Sequence, residues 1–296
     1  MIGTTFGRYV IETKLGTGSM GVVYRARDLR LDRQVALKVL NQSFLSDPTA
    51  WGWILREAKI ASALNHPCIC TVHDIGEEAE QPYIAMEYVE GQTLSSLLIP
   101  SGLSPSLVRH YGSLIADALG HAHERGIIHR DIKSANIIAT PNKSLKILDF
   151  GLARRIRTDP QRRLAMSDSS IDGIGPIVGT THYMAPEILR GDRAYVWSDI
   201  WSLGVVIYEM ATGTLPFVGN TVFELTTAIM ASEMKSLPER IPANLTRVIE
   251  HCLRKDPTDR YNCARDVAID LAKVHSKTNR GASKNTVPKI KSLGAG

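Results

Sequence analysis

A change of hydrophobic period about a third of the way along the chain limits its fold more than any other feature. Between residues 8 and 39, strand-like runs at 9–11, 22–24 and 35–37 alternate with glycine or charged turn residues, as in an antiparallel sheet. Asp47-Pro48 then opens a helical stretch to Leu64, with Ile54, Ala58 and Ala61 on one face, and Asn65-His66-Pro67 stops it. Two further strands, 70–74 and 83–88, lead into Glu90-Gly91. Beyond that pair the pattern turns helical, at 105–125, 197–212, 222–230, 244–253 and 263–274. The expectation is an α+β chain of two lobes: a small β-rich lobe with one main helix over 1–89, and a larger, mainly α lobe over 90–274. No internal repeat interrupts this division.

Composition adds limits. A chain of 296 residues that is 44% hydrophobic and 22% charged can bury a sizeable core. Four cysteines, Cys68, Cys70, Cys252 and Cys263, are too few and too unevenly spaced for a disulfide framework, and a reducing cytoplasm is the expected setting. Cys68 and Cys70 have the look of half a metal site, but no second pair follows at ligand spacing, and buried small apolar residues are the plainer reading. The first residues lack the layout of a signal peptide, and Gly3 is one place too late for myristoylation. The longest apolar stretch, 201–211, is too short to span a bilayer and carries Glu209, so it reads as a core helix. The net charge of +5 comes from Lys277, Arg280, Lys284, Lys289 and Lys291, in a tail over 275–296 without apolar periodicity. The tail reads as a linker rather than a nucleic-acid-binding arm, and no nucleic-acid partner is expected.

Chemistry enters through spacing. Gly16-Thr17-Gly18-Ser19-Met20-Gly21-Val22-Val23 has a strand-like run on each side, so Gly16, Gly18 and Gly21 would let a hairpin backbone fold closely over phosphates. A dinucleotide fingerprint shares this spacing but opens a helix, whereas Val22-Val23-Tyr24 opens a strand. A flexible hairpin turn is the plain alternative. Lys38 stands inside the apolar strand Val35-Ala36-Leu37-Lys38, where an unpaired ammonium is costly to desolvate. It needs an anion, either Glu57, nineteen residues on in the first helix, or phosphate oxygens; a purely structural salt bridge is the alternative. The strongest signal is His129-Arg130-Asp131-Ile132-Lys133-Ser134-Ala135-Asn136, followed eighteen residues after Asp131 by Asp149-Phe150-Gly151. Phosphoryl transfer needs a carboxylate for the attacking hydroxyl, oxygen ligands for a metal on the phosphates, and cations against the developing charge. Asp131, Asn136 with Asp149, and Lys133 with Lys38 suit those needs.

With these motifs in order, the chain resembles a protein kinase catalytic domain, and among these the eukaryotic-type (Hanks-type) serine/threonine kinases of bacteria. The likeness runs from about Arg8 to Val274 and includes Ala185-Pro186-Glu187, the run Asp199-Ile200-Trp201-Ser202-Leu203-Gly204 and Asp256-Pro257-Thr258-Asp259-Arg260. The resemblance implies a two-lobed kinase fold with an activation segment over 149–187, ATP and Mg²⁺ (or Mn²⁺) as cofactors, and protein substrates phosphorylated on serine or threonine. By the same resemblance Asp131 is the catalytic base, Asn136 and Asp149 hold the metal, and Lys38, backed by Glu57, holds the α- and β-phosphates. The adenine slot is lined by Leu15, Val23, Ala36, Met86 as gatekeeper and Ile138, with backbone hydrogen bonds between Glu87 and Val89. For those apolar residues alone, ordinary core packing is the competing reading. Lys133 marks the serine/threonine type, Thr180 bonds Asp131 and Lys133, and Glu187 with Arg260 forms a buried supporting ion pair.

A long polar loop is expected over 154–179, and phosphorylation within 167–181 is expected to order the segment through Arg130 and Arg154, with Thr158, Ser167, Ser169, Ser170 and Thr181 as candidate sites. Two departures stand out. Trp53 occupies a place where some relatives have a basic phosphate ligand; with Trp51 it forms either lobe packing or a contact surface for a partner or second protomer, such as a homodimer through the small lobe. Ala135 replaces an acid found in relatives that select upstream arginine. A pseudokinase scaffold and a small-molecule phosphotransferase are the competing functions, though Lys38, Asp131 and Asp149 are all present, as are the glycine loop and Ala-Pro-Glu.

Overall fold

The computed structural model describes residues 2–18, 21–41, 61–150 and 180–273, with Gly52, Leu55, Ala58 and Lys59. Expectations that concern Trp51, Trp53, Glu57, the glycine-loop tip Ser19-Met20, Arg154 and the 275–296 tail lie outside the described residues.

The first lobe is one antiparallel sheet of β1 (Thr5–Phe6), β2 (Tyr9–Gly18), β3 (Gly21–Asp28), β4 (Arg33–Leu40), β5 (Val72–Glu78) and β6 (Gln81–Glu87), in the order β1-β2-β3-β4-β6-β5. Strand β4 lies inside the sheet, and Val35 through Leu40 are all buried because both faces are covered. Side chains alternate across the sheet, so Val35, Leu37 and Val39 join Phe6, Tyr9 and Ile11 on one face. Ala36 and Leu40 join Ala58, Cys70, Ile84 and Met86 on the other. The same alternation delivers Lys38 to the second face, which looks into the interlobe cleft. Burying each of these aliphatic side chains is worth about 1.5–3 kcal/mol, so a charge at Leu37 would unfold the lobe.

The second lobe contains α1 (Leu94–Leu97), α2 (Pro105–His123), α3 (Pro186–Arg190), α4 (Val196–Thr212), α5 (Val222–Ala231), α6 (Ala243–Cys252) and α7 (Ala264–Lys273). Helix α2 starts where Ser104 caps it, its hydroxyl accepting from the Leu107 N–H at 3.4 Å, with Pro105 at the first helical position. Helix α4 is buried nearly all round, with Trp201 fully enclosed, and stops at Gly213 in the left-handed conformation (φ 75°). The five helices expected in this lobe all form, each within about two residues of its predicted ends.

A three-stranded sheet of β7 (Gln92–Thr93), β8 (Ile137–Ala139) and β9 (Leu145–Ile147) sits under the cleft. Gly91 (φ 159°) admits the chain to it, because a Cβ there would lie 2.2 Å from the Ala139 carbonyl oxygen. The strand expected over 70–74 begins only at Val72. The reason lies in the other lobe: the Ile147 N–H donates to the Cys68 carbonyl at 2.8 Å, and the Cys70 N–H donates to the Ile147 carbonyl at 2.9 Å. Ala61, Leu64, Cys68 and Ile69 accordingly pack into the large lobe's core. Cys68 and Cys70 are buried free thiols, and burial pushes Cys70 up to about 12.

Candidate active site

Two loops flanking β8 and β9 are stitched edge to edge. Leu148 donates its N–H to the Asn136 carbonyl at 2.8 Å, and its own carbonyl lies 2.9 Å from Nε2 of His129. Nδ1 of His129 accepts from the Asp131 N–H at 3.2 Å, so the ring carries its proton on Nε2 and donates to Leu148. Burial holds the imidazole below its ordinary range, which keeps it neutral. Phe150 packs edge-on against it, centroids 4.4 Å apart. In this way Asp131 and Asp149, eighteen residues apart in sequence, are carried on neighbouring loops.

Around Asp131 the polar groups converge. Lys133 Nζ donates to Asp131 Oδ2 at 2.9 Å and to Thr180 Oγ1 at 3.2 Å, the latter a link expected from sequence. Asn136 spends its amide N–H side on the Asp131 carbonyl (2.9 Å) and carboxylate (3.0 Å), leaving its amide oxygen as the end available to a hard cation. On the second loop, Asp149 Oδ2 accepts from Lys38 Nζ at 2.8 Å. Burial works against the charged carboxylate there, but the Lys38 ammonium outweighs it, and Asp149 sits below its ordinary value. Asp149 is thus the described partner of Lys38, whereas Glu57 lies outside the described residues.

Both loops carry backbone strain. Arg130 (φ 69°) and Asp149 (φ 58°) are left-handed, a conformation costing about 1–2 kcal/mol in a non-glycine residue. Asp199, at the start of α4 and 1% exposed, offsets it at Arg130. Its carboxylate accepts the backbone N–H groups of His129 and Arg130, each at 2.8 Å, and His123 Nε2 at 2.8 Å. Burial disfavours that charge, yet the His123 hydrogen bond and its neighbours hold Asp199 below its ordinary range. Asp199 stands in one of the runs that carry the resemblance, with no expected role; its signal was an acid opening an otherwise apolar helix.

A second chain of contacts was not anticipated. Ser134 Oγ, buried beside Lys133, lies 2.9 Å from Tyr183 Oη, which donates to Glu209 Oε2 at 2.7 Å. Burial raises the Glu209 carboxyl. The sequence flagged Glu209 only as a charge inside a core helix. Glu187 and Arg260 form the expected buried pair through two 2.9 Å hydrogen bonds, and Ser198 Oγ donates to Glu187 at 2.9 Å.

The residues expected in the nucleotide slot are divided between the first-lobe sheet and β8. Gly18 pairs with Gly21, and Gly16 with Val23, in the β2–β3 hairpin. Gly21 cannot carry a side chain, because a Cβ would approach the Val39 carbonyl to 2.0 Å. Ala36 pairs with Met86, with Val23 and Val89 packed against their cluster. Leu15 is exposed, and Ile138 lies half-buried in β8. Of the phosphorylation candidates, Thr181 is described and is buried, 4% exposed. Thr158, Ser167, Ser169 and Ser170 lie outside the described residues.

A small antiparallel β lobe over a helical lobe, with paired acid-bearing loops under a buried lysine, defines a phosphotransferase of the two-lobed kinase class. The protein kinase domain model matches residues 9–270, and the chain belongs to that family. Serine/threonine-protein kinase PknB of Mycobacterium tuberculosis is 39% identical over 91% of this chain, and serine/threonine-protein kinase PrkC of Bacillus subtilis is 36% identical over 90% of it. The matches cover 43% and 40% of those relatives, so the chain spans less than half their length. Kinases of this family use ATP and a divalent metal. Among the described residues no helix is long and apolar enough to cross a membrane.

Proposed function

We propose that this domain transfers the γ-phosphoryl group of ATP to serine and threonine hydroxyls of proteins. One observation carries the reading: the loops bearing Asp131 and Asp149 are hydrogen-bonded side by side, with Lys133 on the first acid and Lys38 on the second. An acid for an incoming hydroxyl and an acid for the nucleotide's metal therefore share one cleft. Asp131 orients the hydroxyl and accepts its proton; Lys133 and Thr180 hold the carboxylate and the acceptor segment in register. Lys38 grips the α- and β-phosphates, Gly16, Gly18 and Gly21 cover them, and the adenine lies between Leu15, Val23 and Ala36 above and Ile138 below, against Met86. Its edge meets the backbone of Glu87 to Val89. The Asp149 carboxylate and Asn136 amide oxygen are hard oxygen donors that suit Mg²⁺, with Mn²⁺ as the alternative; the ion would neutralise phosphate charge.

The serine/threonine preference is supported by Lys133 two residues after Asp131 and by the relatives' names. Phosphorylation within 167–181 is proposed to order the segment through Arg130 and Arg154. Purified protein with Mg·ATP and a generic protein substrate tests the function. Phosphate should enter serine and threonine, and neither Lys38→Met nor Asp149→Asn should support it. Mass mapping of the same samples tests the regulation, which an active, unphosphorylated segment would refute.

A further inference from the structure

Glu87 enters the proposed nucleotide site through its backbone, but its side chain points to a partner that nothing above assigns. Its carboxylate Oε2 accepts from Lys146 Nζ at 2.8 Å and from the Thr71 N–H at 3.2 Å. Its N–H donates to the Thr71 carbonyl at 2.9 Å, and its carbonyl receives the Cys70 thiol at 3.6 Å. Glu87 and Thr71 therefore close a ring of two hydrogen bonds that extends the β5–β6 ladder past Val72, and Lys146 locks that ring from the other lobe. Lys146 Nζ also reaches the Ile69 carbonyl at 3.3 Å.

The position of Lys146 gives this pair its meaning. Lys146 lies in β9, directly across from Ile138 in β8, the residue under the adenine slot. Glu87 ends β6, one residue after Met86, which pairs with Ala36 in the roof of that slot. A single ion pair thus joins the strand that offers hydrogen bonds to the base edge and the sheet that forms the floor. Both partners are only partly exposed, at 20% for Lys146 and 30% for Glu87, so water weakens the attraction without abolishing it.

We propose that Lys146 is a positioning residue for the nucleobase: by holding Glu87 across the lobe junction, it sets the spacing between the base-binding edge and the floor. The role rests on the ATP-binding reading above. It concerns the base, not the phosphates, so it belongs to binding rather than to the transfer step.

The test is calorimetric binding of adenosine and of ADP to the wild type, Lys146→Met, Lys146→Arg and Glu87→Gln, alongside kcat and KM for ATP. Lys146→Met and Glu87→Gln should each weaken adenosine and ADP by the same factor, roughly two- to fivefold, and raise KM for ATP to match. Lys146→Arg should restore the wild-type value, and the Lys146→Met/Glu87→Gln double variant should be no worse than either single one. High salt should shrink the difference. An adenosine affinity unchanged in Lys146→Met overturns the role, whatever happens to its melting temperature. A fall in kcat with KM untouched also overturns it. A wild-type protein that binds neither adenosine nor ADP overturns the nucleotide site along with the role, an outcome distinct from equal binding by wild type and variant.

Discussion

The cleft and the ground beneath it each contain an ion pair of nearly equal length, and the two behave as opposites. Lys38 and Asp149 meet at 2.8 Å through one hydrogen bond, with the Asp149 side chain 26% exposed. Arg260 and Glu187 meet through two parallel bonds of 2.9 Å, with side chains 0% and 7% exposed. The second pair is also fully occupied: Ser198 bonds the acid, while the guanidinium reaches the carbonyls of Trp197, Arg254 and Lys255. A pair saturated on every side cannot exchange partners and fixes structure. A pair with one bond among the described residues and a partly exposed acid can yield to phosphate and metal. Length alone does not separate structural from functional ion pairs; saturation does.

Breaking that contrast has its largest expected effect in the cleft. Lys38→Met or Asp131→Asn should lower phosphate transfer by at least about a thousandfold, with a melting temperature close to wild type. The foundation should respond the other way: Arg260→Leu leaves Glu187 buried without its counter-charge, and should remove roughly 3–5 kcal/mol of stability in chemical denaturation. Next is the link between the two regions. Asp199→Asn replaces an acceptor-only group with one that brings N–H donors to backbone N–H groups, and displacement of the Arg130 turn should lower kcat roughly 10–100-fold. Tyr183→Phe strips the hydroxyl between Ser134 and Glu209, and should cost about 1–3 kcal/mol of stability with a smaller change in rate.

The smallest effect is in pH, where the buried Glu187 and the partly buried Glu209 should diverge. Burial works against Glu187, but Arg260 outweighs it and holds the acid below its ordinary value. Its contribution is present above the ordinary glutamate range and lost as pH falls through the folded value. Glu209 is raised by burial, so its contribution is fully present at low pH and fades as pH rises through the raised value. Denaturation midpoints of Glu209→Gln against wild type should therefore separate toward neutral pH and converge in acid. Parallel curves would remove Glu209 from this account.

Sequence and structure agree where the signal is local. The apolar run of β4 and the helical patterns of α2, α4 and α7 are written into consecutive residues, and the loop acids Asp131 and Asp149 stand in short ordered motifs. What stayed hidden depends on which distant group fills a vacancy. Cys70 reads as strand but bonds Ile147 instead of continuing β5. Glu87 was expected to offer its backbone to the base and Lys146 had no expected role, yet their side chains meet across the lobe junction. Asp199 reads as a helix-start acid, and only the fold brings its carboxylate beneath the strained His129–Arg130 turn. Lys38 announced a need for an anion; that its described partner is Asp149 depended on the packing of one lobe over the other.

The central claim is that Asp131 acts on the hydroxyl while Lys38 and Asp149 hold the nucleotide in the same cleft. The most direct test measures ATP affinity and phosphate transfer side by side for wild type and Asp131→Asn. The account predicts ATP binding within about twofold of wild type and transfer at background level. Transfer by Asp131→Asn at the wild-type rate would contradict it.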